Sequence, residues 1–148
     1  MNIEEVLSMW KEDSIIDDLQ LDDTTIKMAR VHSKYLELIT IAKMRRKKKD
    51  FEYKTLLKDK WLYYNGKLSK EQIDSFKWDY DPFGGLNKPL KGDMNYYYDA
   101  DTDIQAKQAA LEYDKVLIET LEEIMGTIRW RHQNISNIIK WRSFEAGV

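Results

Sequence analysis

From residue 1 to residue 65 the chain contains neither proline nor glycine. These are the two residues that most readily end a helix, proline by removing an N–H and glycine by its freedom in the left-handed region. Long uninterrupted helix is therefore the simplest reading of this half. Apolar residues recur there as Met28, Val31, Tyr35, Leu38 and Ala42, in steps of three and four, as one face of a 3.6-residue repeat requires. The Asp22-Asp23-Thr24 cluster offers an N-cap and Asn65-Gly66 a stop, which predicts a helix from about Thr24 to Tyr64 after a short amphipathic start around Ile3 to Trp10.

The clearest periodicity lies near the other end. Ile118, Leu121, Met125, Ile128, His132, Ile135 and Ile139 alternate steps of three and four, the pattern of a coiled-coil seam. It runs through Gly126 and predicts one helix from about Asp103 to Phe144, with the glycine as the place for a bend. Two helices of roughly 60 Å each are too long to bury their stripes inside one small compact monomer. The seam residues Ile128, His132, Ile135 and Ile139 are therefore expected to face further copies of the chain.

Between the long helices, Ser69 with Gln72 makes a capping box for a short helix through Trp78. Residues 79–98 hold both prolines, three of the six glycines and a run of three tyrosines, which predicts a loop. The expectation is an all-α chain of 148 residues forming one domain in three parts. Residues 1–66 carry the N-terminal helices, 67–102 a short helix and loop insertion, and 103–148 the self-association helix.

Composition narrows the class. There is no cysteine, so neither a disulfide framework nor a thiolate metal site is possible, as suits a reducing cytosol. The opening MNIEEVLSMWKED is acidic where a secretory signal would be basic, and no apolar run approaches the eighteen or so residues of a membrane span. A soluble intracellular protein is expected. The net charge of -2 conceals strong segregation: residues 1–25 carry one base and eight acids, residues 43–60 nine bases and three acids, and residues 71–125 five bases and thirteen acids. Because potential decays over a Debye length of about 10 Å at ordinary salt, the basic segment acts by itself whatever the global pI.

Catalytic and metal-binding patterns fail one by one. Asp99–Ile104, DADTDI, opens like a calcium loop, but position six is Ile104 rather than glycine and position twelve is Ala110 rather than glutamate. Aspartates just ahead of a helix are ordinary caps and dipole complements. His32 and His132 are isolated, and neither GxGxxG nor GxxxxGK[ST] occurs. The chain is expected to be no enzyme and to need no metal or cofactor.

The basic segment remains. Six of the seven residues from Lys43 to Lys49 are basic. On a helix, Lys47, Phe51, Lys54, Lys58 and Trp61 share one stripe, and Lys49, Tyr53, Leu56, Lys60 and Tyr64 share a second one. Alternating cations and rings are what a sequence-tolerant single-strand binder needs, with lysines on phosphates and rings stacking bases. The residues alone leave this reading open beside that of a solvated helix surface. The candidate DNA contacts are Arg45, Arg46, Lys47, Lys48, Lys49, Lys54, Lys58, Lys60, Trp61 and Tyr64.

Three stretches carry a resemblance. LLKDKWLYYNGK, Leu56 to Lys67, resembles the leucine-lysine-alanine-arginine-leucine motif with paired tyrosines and a glycine found in the UvsY family of recombination mediators from T-even-like phages. HSKYLEL, His32 to Leu38, is similar to that family's Ser-Lys-Trp-Leu segment, and RSFEAGV to its Arg-Ala-Phe-Glu-Ala-Gly ending. The similarity is weakest from about Lys67 to Asp103, where this chain carries a tyrosine-rich insertion. The resemblance implies that Lys58 and Lys60 stand at the motif's basic positions linked to single-stranded DNA, with Asp59 and Trp61 replacing its alanine and second leucine. It also implies a non-enzymatic mediator, a ring-like homo-hexamer or heptamer in the cytoplasm of the infected bacterial host. Its partners would be single-stranded DNA, a RecA-like recombinase that it helps load, and the single-strand-binding protein that coats the strand. The alternative is a coiled-coil scaffold whose basic segment holds an acidic protein.

Overall fold

Asn2 accepts the backbone N–H of Glu5 while Glu5 accepts that of Asn2, a reciprocal cap that starts α1 (Ile3–Asp13). The computed structural model describes residues 1–147, and every regular element among them is helical. α2 (Leu21–Tyr64) runs 44 residues without a break. It starts earlier than the cluster at Asp22 suggests: Asp22 and Asp23 sit in its first turn, and buried Thr24 donates back to the Gln20 carbonyl. At its end Gly66 takes a φ of 66°, which lets the N–H of Lys67 reach the Leu62 carbonyl at 2.9 Å.

α3 (Lys70–Phe76) opens on the Ser69–Gln72 capping box and ends where Lys77 turns left-handed, two residues short of the expected Trp78. A 3-10 turn at Lys91–Asp93 leads into α4 (Met94–Ala100), so the second part of the expected loop is helical. The cause is packing: Met94, Tyr97 and Tyr98, at helical spacing, all close on Tyr63 and Tyr64. α5 (Thr102–Glu145) begins where the Asp101 carboxylate accepts the N–H groups of Asp103 and Ile104, each at 3.0 Å.

Packing divides the chain into two units, one of Met1–Arg45 with the chain from Tyr113 onward, the other of Arg46–Glu112. Both long helices contribute to each unit, so the divisions fall inside helices rather than in the connections that sequence points to.

In the first unit Met28, Val31, Tyr35, Ile39 and Ala42 of α2 form one core with Leu117, Ile118, Leu121, Ile124, Met125 and Ile128 of α5 and Val6 of α1. Tyr35 is fully enclosed, its hydroxyl donating to Asp13 at 3.0 Å and its ring edge-on to Trp10. Burial first, then the Asp13 carboxylate, pushes the Tyr35 hydroxyl well above the ordinary tyrosine range. Arg45 meets the buried Asp114 at 3.3 Å and Arg142 meets Asp18 at 3.4 Å, which sets the two helices antiparallel here.

This arrangement corrects the expectation for the seam. Ile128 lies in the intrachain core and Ile135 is also buried within the chain, because the α2 stripe is long enough to cover the facing stripe of α5. His132 is exposed. Of the four predicted self-association residues, Ile139 is the apolar one left open, and it is joined by Trp130, Trp141 and Phe144.

Gly126 continues the helix, and a Cβ built there meets nothing within 4 Å. Gly126→Ala should therefore stabilise the fold by about 0.5 to 1 kcal/mol through reduced chain entropy in the unfolded state. Thermal melting followed by circular dichroism checks this; a lowered midpoint would mean that another chain packs against the glycine.

Candidate nucleic-acid interface

The last turns of α2 are clamped by the aromatic core of the second unit. Tyr63, Tyr64 and Met94 are buried, with Leu68, Ile73, Trp78, Phe83, Tyr97 and Tyr98 around them. The Tyr64 ring meets Tyr98 edge-on at 5.3 Å, and its hydroxyl donates to Asp101 at 2.7 Å. Lys60 enters the same network. It is only 4% exposed, its Nζ stands 2.9 Å from both Asp101 and Asp103, and it lies 3.9 Å above the Trp78 ring. An ammonium so enclosed, with two carboxylates and a π face as partners, is held by its own chain.

The two stripes of α2 consequently have opposite fates. On the inner one, Tyr53 accepts from Gln108, Leu56 and Lys49 are partly buried, and Lys60 and Tyr64 are enclosed. Lys60 and Tyr64 are thus not available to phosphate or base, contrary to the sequence expectation. Arg45 is likewise committed, to the buried Asp114. The physical reason is tertiary: Trp78 of the insertion and Asp101 and Asp103 at the entry to α5 outcompete solvent for the Lys60 charge.

On the outer stripe every residue is open. Lys47, Lys54 and Lys58 are exposed, Phe51 is 58% exposed and Trp61 46%. Lys47 Nζ stands 5.1 Å from the Phe51 ring centroid, so cation and ring form a pair. Lys54 pairs with Asp50 at 3.1 Å and Lys58 with Asp59 at 3.4 Å, surface pairs worth at most about 1 kcal/mol and readily exchanged for a phosphate. Arg46 and Lys48 are exposed beside this stripe. Sequence reasoning missed Lys67, whose Nζ lies 4.6 Å from the Trp61 ring. The signal was there in Asn65-Gly66, since a left-handed stop folds the next residue back along the helix.

Acid should act on the inner network. Burial pushes the Asp101 carboxyl up, but the Ile104 N–H, Lys60 and the Tyr64 hydroxyl outweigh it and hold it below the ordinary value of 3.8. The folded pKa lies below the unfolded one, so this stabilisation is complete above the unfolded value and is lost as pH falls through the folded one. Asp13, depressed by Lys34 and Tyr35 against its own burial, has the same sign in the first unit. We expect stability to fall as pH drops below about 4, and Asp101→Asn to flatten that fall in urea titrations at several pH values. An unchanged profile would show that Asp101 carries no such linkage.

No group of three or more His, Cys, Asp or Glu side chains among the described residues is arranged to hold a metal, and no helix is long and apolar enough to cross a membrane. Along its open stripe α2 alternates cations with rings, an arrangement that suits the phosphates and stacked bases of a nucleic acid strand. Residues 9–148 match the family model of the recombination, repair and ssDNA binding protein UvsY, and the chain belongs to that family. It is 23% identical over 147 residues to the recombination protein uvsY of Enterobacteria phage T4, covering 99% of each. Two crystal structures of the bacteriophage T4 recombination mediator protein UvsY share its fold. In lattice type II the TM-score is 0.81 at 23% identity, with 99% of this chain and 98% of that chain covered. In lattice type I it is 0.80 at 23% identity, with 95% and 98% covered.

Proposed function

We propose that this chain is a non-enzymatic recombination mediator that works in the cytoplasm of an infected bacterium. It binds single-stranded DNA along the outer stripe of α2 and helps a RecA-like recombinase replace the single-strand-binding protein on a coated strand. The observation that carries the reading is the open Lys47–Phe51–Lys54–Lys58–Trp61 stripe, in a chain whose family binds single-stranded DNA. Self-association follows as a second part of the proposal. The exposed Trp130, Ile139, Trp141 and Phe144 near the end of α5 meet other copies in a ring of six or seven subunits, as the resemblance implies. Many weak strand contacts then act together, and a strand held in the mediator's geometry is held less well by the coating protein.

The test is twofold. Lys47→Ala/Lys54→Ala/Lys58→Ala should flatten the log-log salt dependence of oligonucleotide binding by about 2 units, at roughly 0.7 per phosphate contact. In a recombinase ATPase assay on coated strands, the wild type should shorten the lag and this variant should do so poorly. Tight strand binding by the wild type with an unaltered lag would mean that the chain holds the strand without loading a recombinase, and no strand binding would favour the scaffold that holds an acidic protein.

A further inference from the structure

α2 ends in a geometry that extends the strand site beyond the helix. The N–H of Asn65 bonds to the Trp61 carbonyl at 3.1 Å, and the N–H of Lys67 to the Leu62 carbonyl at 2.9 Å, so the chain reverses immediately after the last turn. This return lays the Lys67 side chain against the indole of Trp61, 4.6 Å from its centroid. The Asn65 side chain is clipped in place, its Nδ2 donating to the Trp61 carbonyl at 2.7 Å and to the Tyr98 hydroxyl at 3.4 Å. Its Oδ1 is thereby aimed at a second cation, and Lys88 donates to it at 3.0 Å. Lys88 comes from the insertion, 23 residues further along the chain.

The result is a partly exposed indole with Lys67 on its ring, and with Lys88 held by the Asn65 amide that also bonds to the Trp61 carbonyl. Lys58 lies one helical turn before Trp61, Lys67 lies on the ring, and Lys88 is anchored by the next turn of chain. Lys58 has the weak surface partner Asp59, whereas Lys67 and Lys88 make no ion pair among the described residues. A buried or structural lysine finds a carboxylate, as Lys60 does two positions from Lys58. Two lysines held in place by a ring and an amide, with no carboxylate among the described residues paired to them, offer their charge to an anion beside a stacking surface.

We propose that Trp61, Lys67 and Lys88 form a nucleotide subsite in which one base stacks on the indole and the flanking phosphates meet the two ammonium groups. The strand that follows the outer stripe of α2 leaves the helix across the Asn65–Gly66 turn and onto the insertion. This rests on the reading that the outer stripe binds DNA. It adds to it a strand path, two phosphate contacts outside the basic run, and a role in binding for the insertion.

The experiment uses the full chain and a thymidine oligonucleotide of about eight nucleotides, short enough to report a single site. Lys67→Ala/Lys88→Ala should lower the salt slope by about 1.4 units. Lys70→Ala/Lys91→Ala, two exposed lysines outside the cluster, should leave it unchanged. Trp61→Phe should keep most of the affinity, and Trp61→Ala should lose roughly 5- to 150-fold, the range for one stacked base. The subsite is overturned if the Lys67/Lys88 variant binds like wild type while Lys47→Ala/Lys54→Ala/Lys58→Ala is weakened; the α2 reading then stands alone. It is also overturned if the two control lysines cost as much as Lys67 and Lys88, since a diffuse field would then account for both. If the α2 variant also binds like wild type, the underlying reading falls with it.

Discussion

Lys60→Ala should destabilise the second unit by about 3 to 5 kcal/mol, the usual cost of removing one partner of a buried ion pair. The substitution leaves Asp101 buried with its Tyr64, Asp103 and Ile104 donors but without the ammonium 2.9 Å away, and opens a void beneath Trp78. Urea denaturation followed through the aromatic signals of Trp78 and the tyrosines would show the loss, and limited proteolysis should cut the chain between Lys67 and Asp101. Any loss of strand affinity then comes through the fold. The informative comparison is with Lys58→Ala, two residues away on the opposite side of the helix, which should retain full stability and lose about 0.7 unit of salt slope. Should Lys60→Ala prove as stable as wild type and lower the slope by the same amount, Lys60 is a phosphate contact after all.

The second large effect concerns assembly. Trp141→Ser/Phe144→Ser changes two stacked rings that are 62% and 75% exposed, so the subunit fold should be retained. On the proposed ring they are buried between copies, and the variant should sediment as a smaller species. Affinity for a long single strand should fall by about 100-fold or more as the joint action of several sites is lost, with little change for a short oligonucleotide. An unchanged sedimentation coefficient would place the subunit contact elsewhere. Cutting the chain at Gly126 is a poorer test, because it also removes Ile128 and Ile135 from the subunit's own interior.

The helices were legible because they are written locally. The Ser69–Gln72 box, the Asn65-Gly66 stop and the three-four spacing around Tyr35 all describe interactions within a few residues. The facing of those helices was not legible. Periodicity shows that Ile128 wants cover, but not that Met28, Val31 and Ile39 of the same chain provide it, since that depends on how the chain returns. The same limit applied to the basic segment. Two stripes of similar composition lie on opposite sides of α2, and only residues some 40 positions away, Asp101 and Asp103, decide that Lys60 turns inward while Lys58 stays out. α4 escaped because a run of three tyrosines has no helical period of its own and folds by packing on Tyr64.

An unbroken helix is also a ruler. Lys47, Lys54 and Lys58 stand along α2 at fixed intervals of about 10 and 6 Å, set by a rise of 1.5 Å per residue that cannot stretch. The aromatic clamp on Tyr63 and Tyr64 stiffens the far end of that scale. On the proposed strand path, a flexible strand laid against it would adjust its own phosphate spacing to the marks, whatever bases it carries. The gauge would then belong to the protein, and every strand measured on it would take the same pitch.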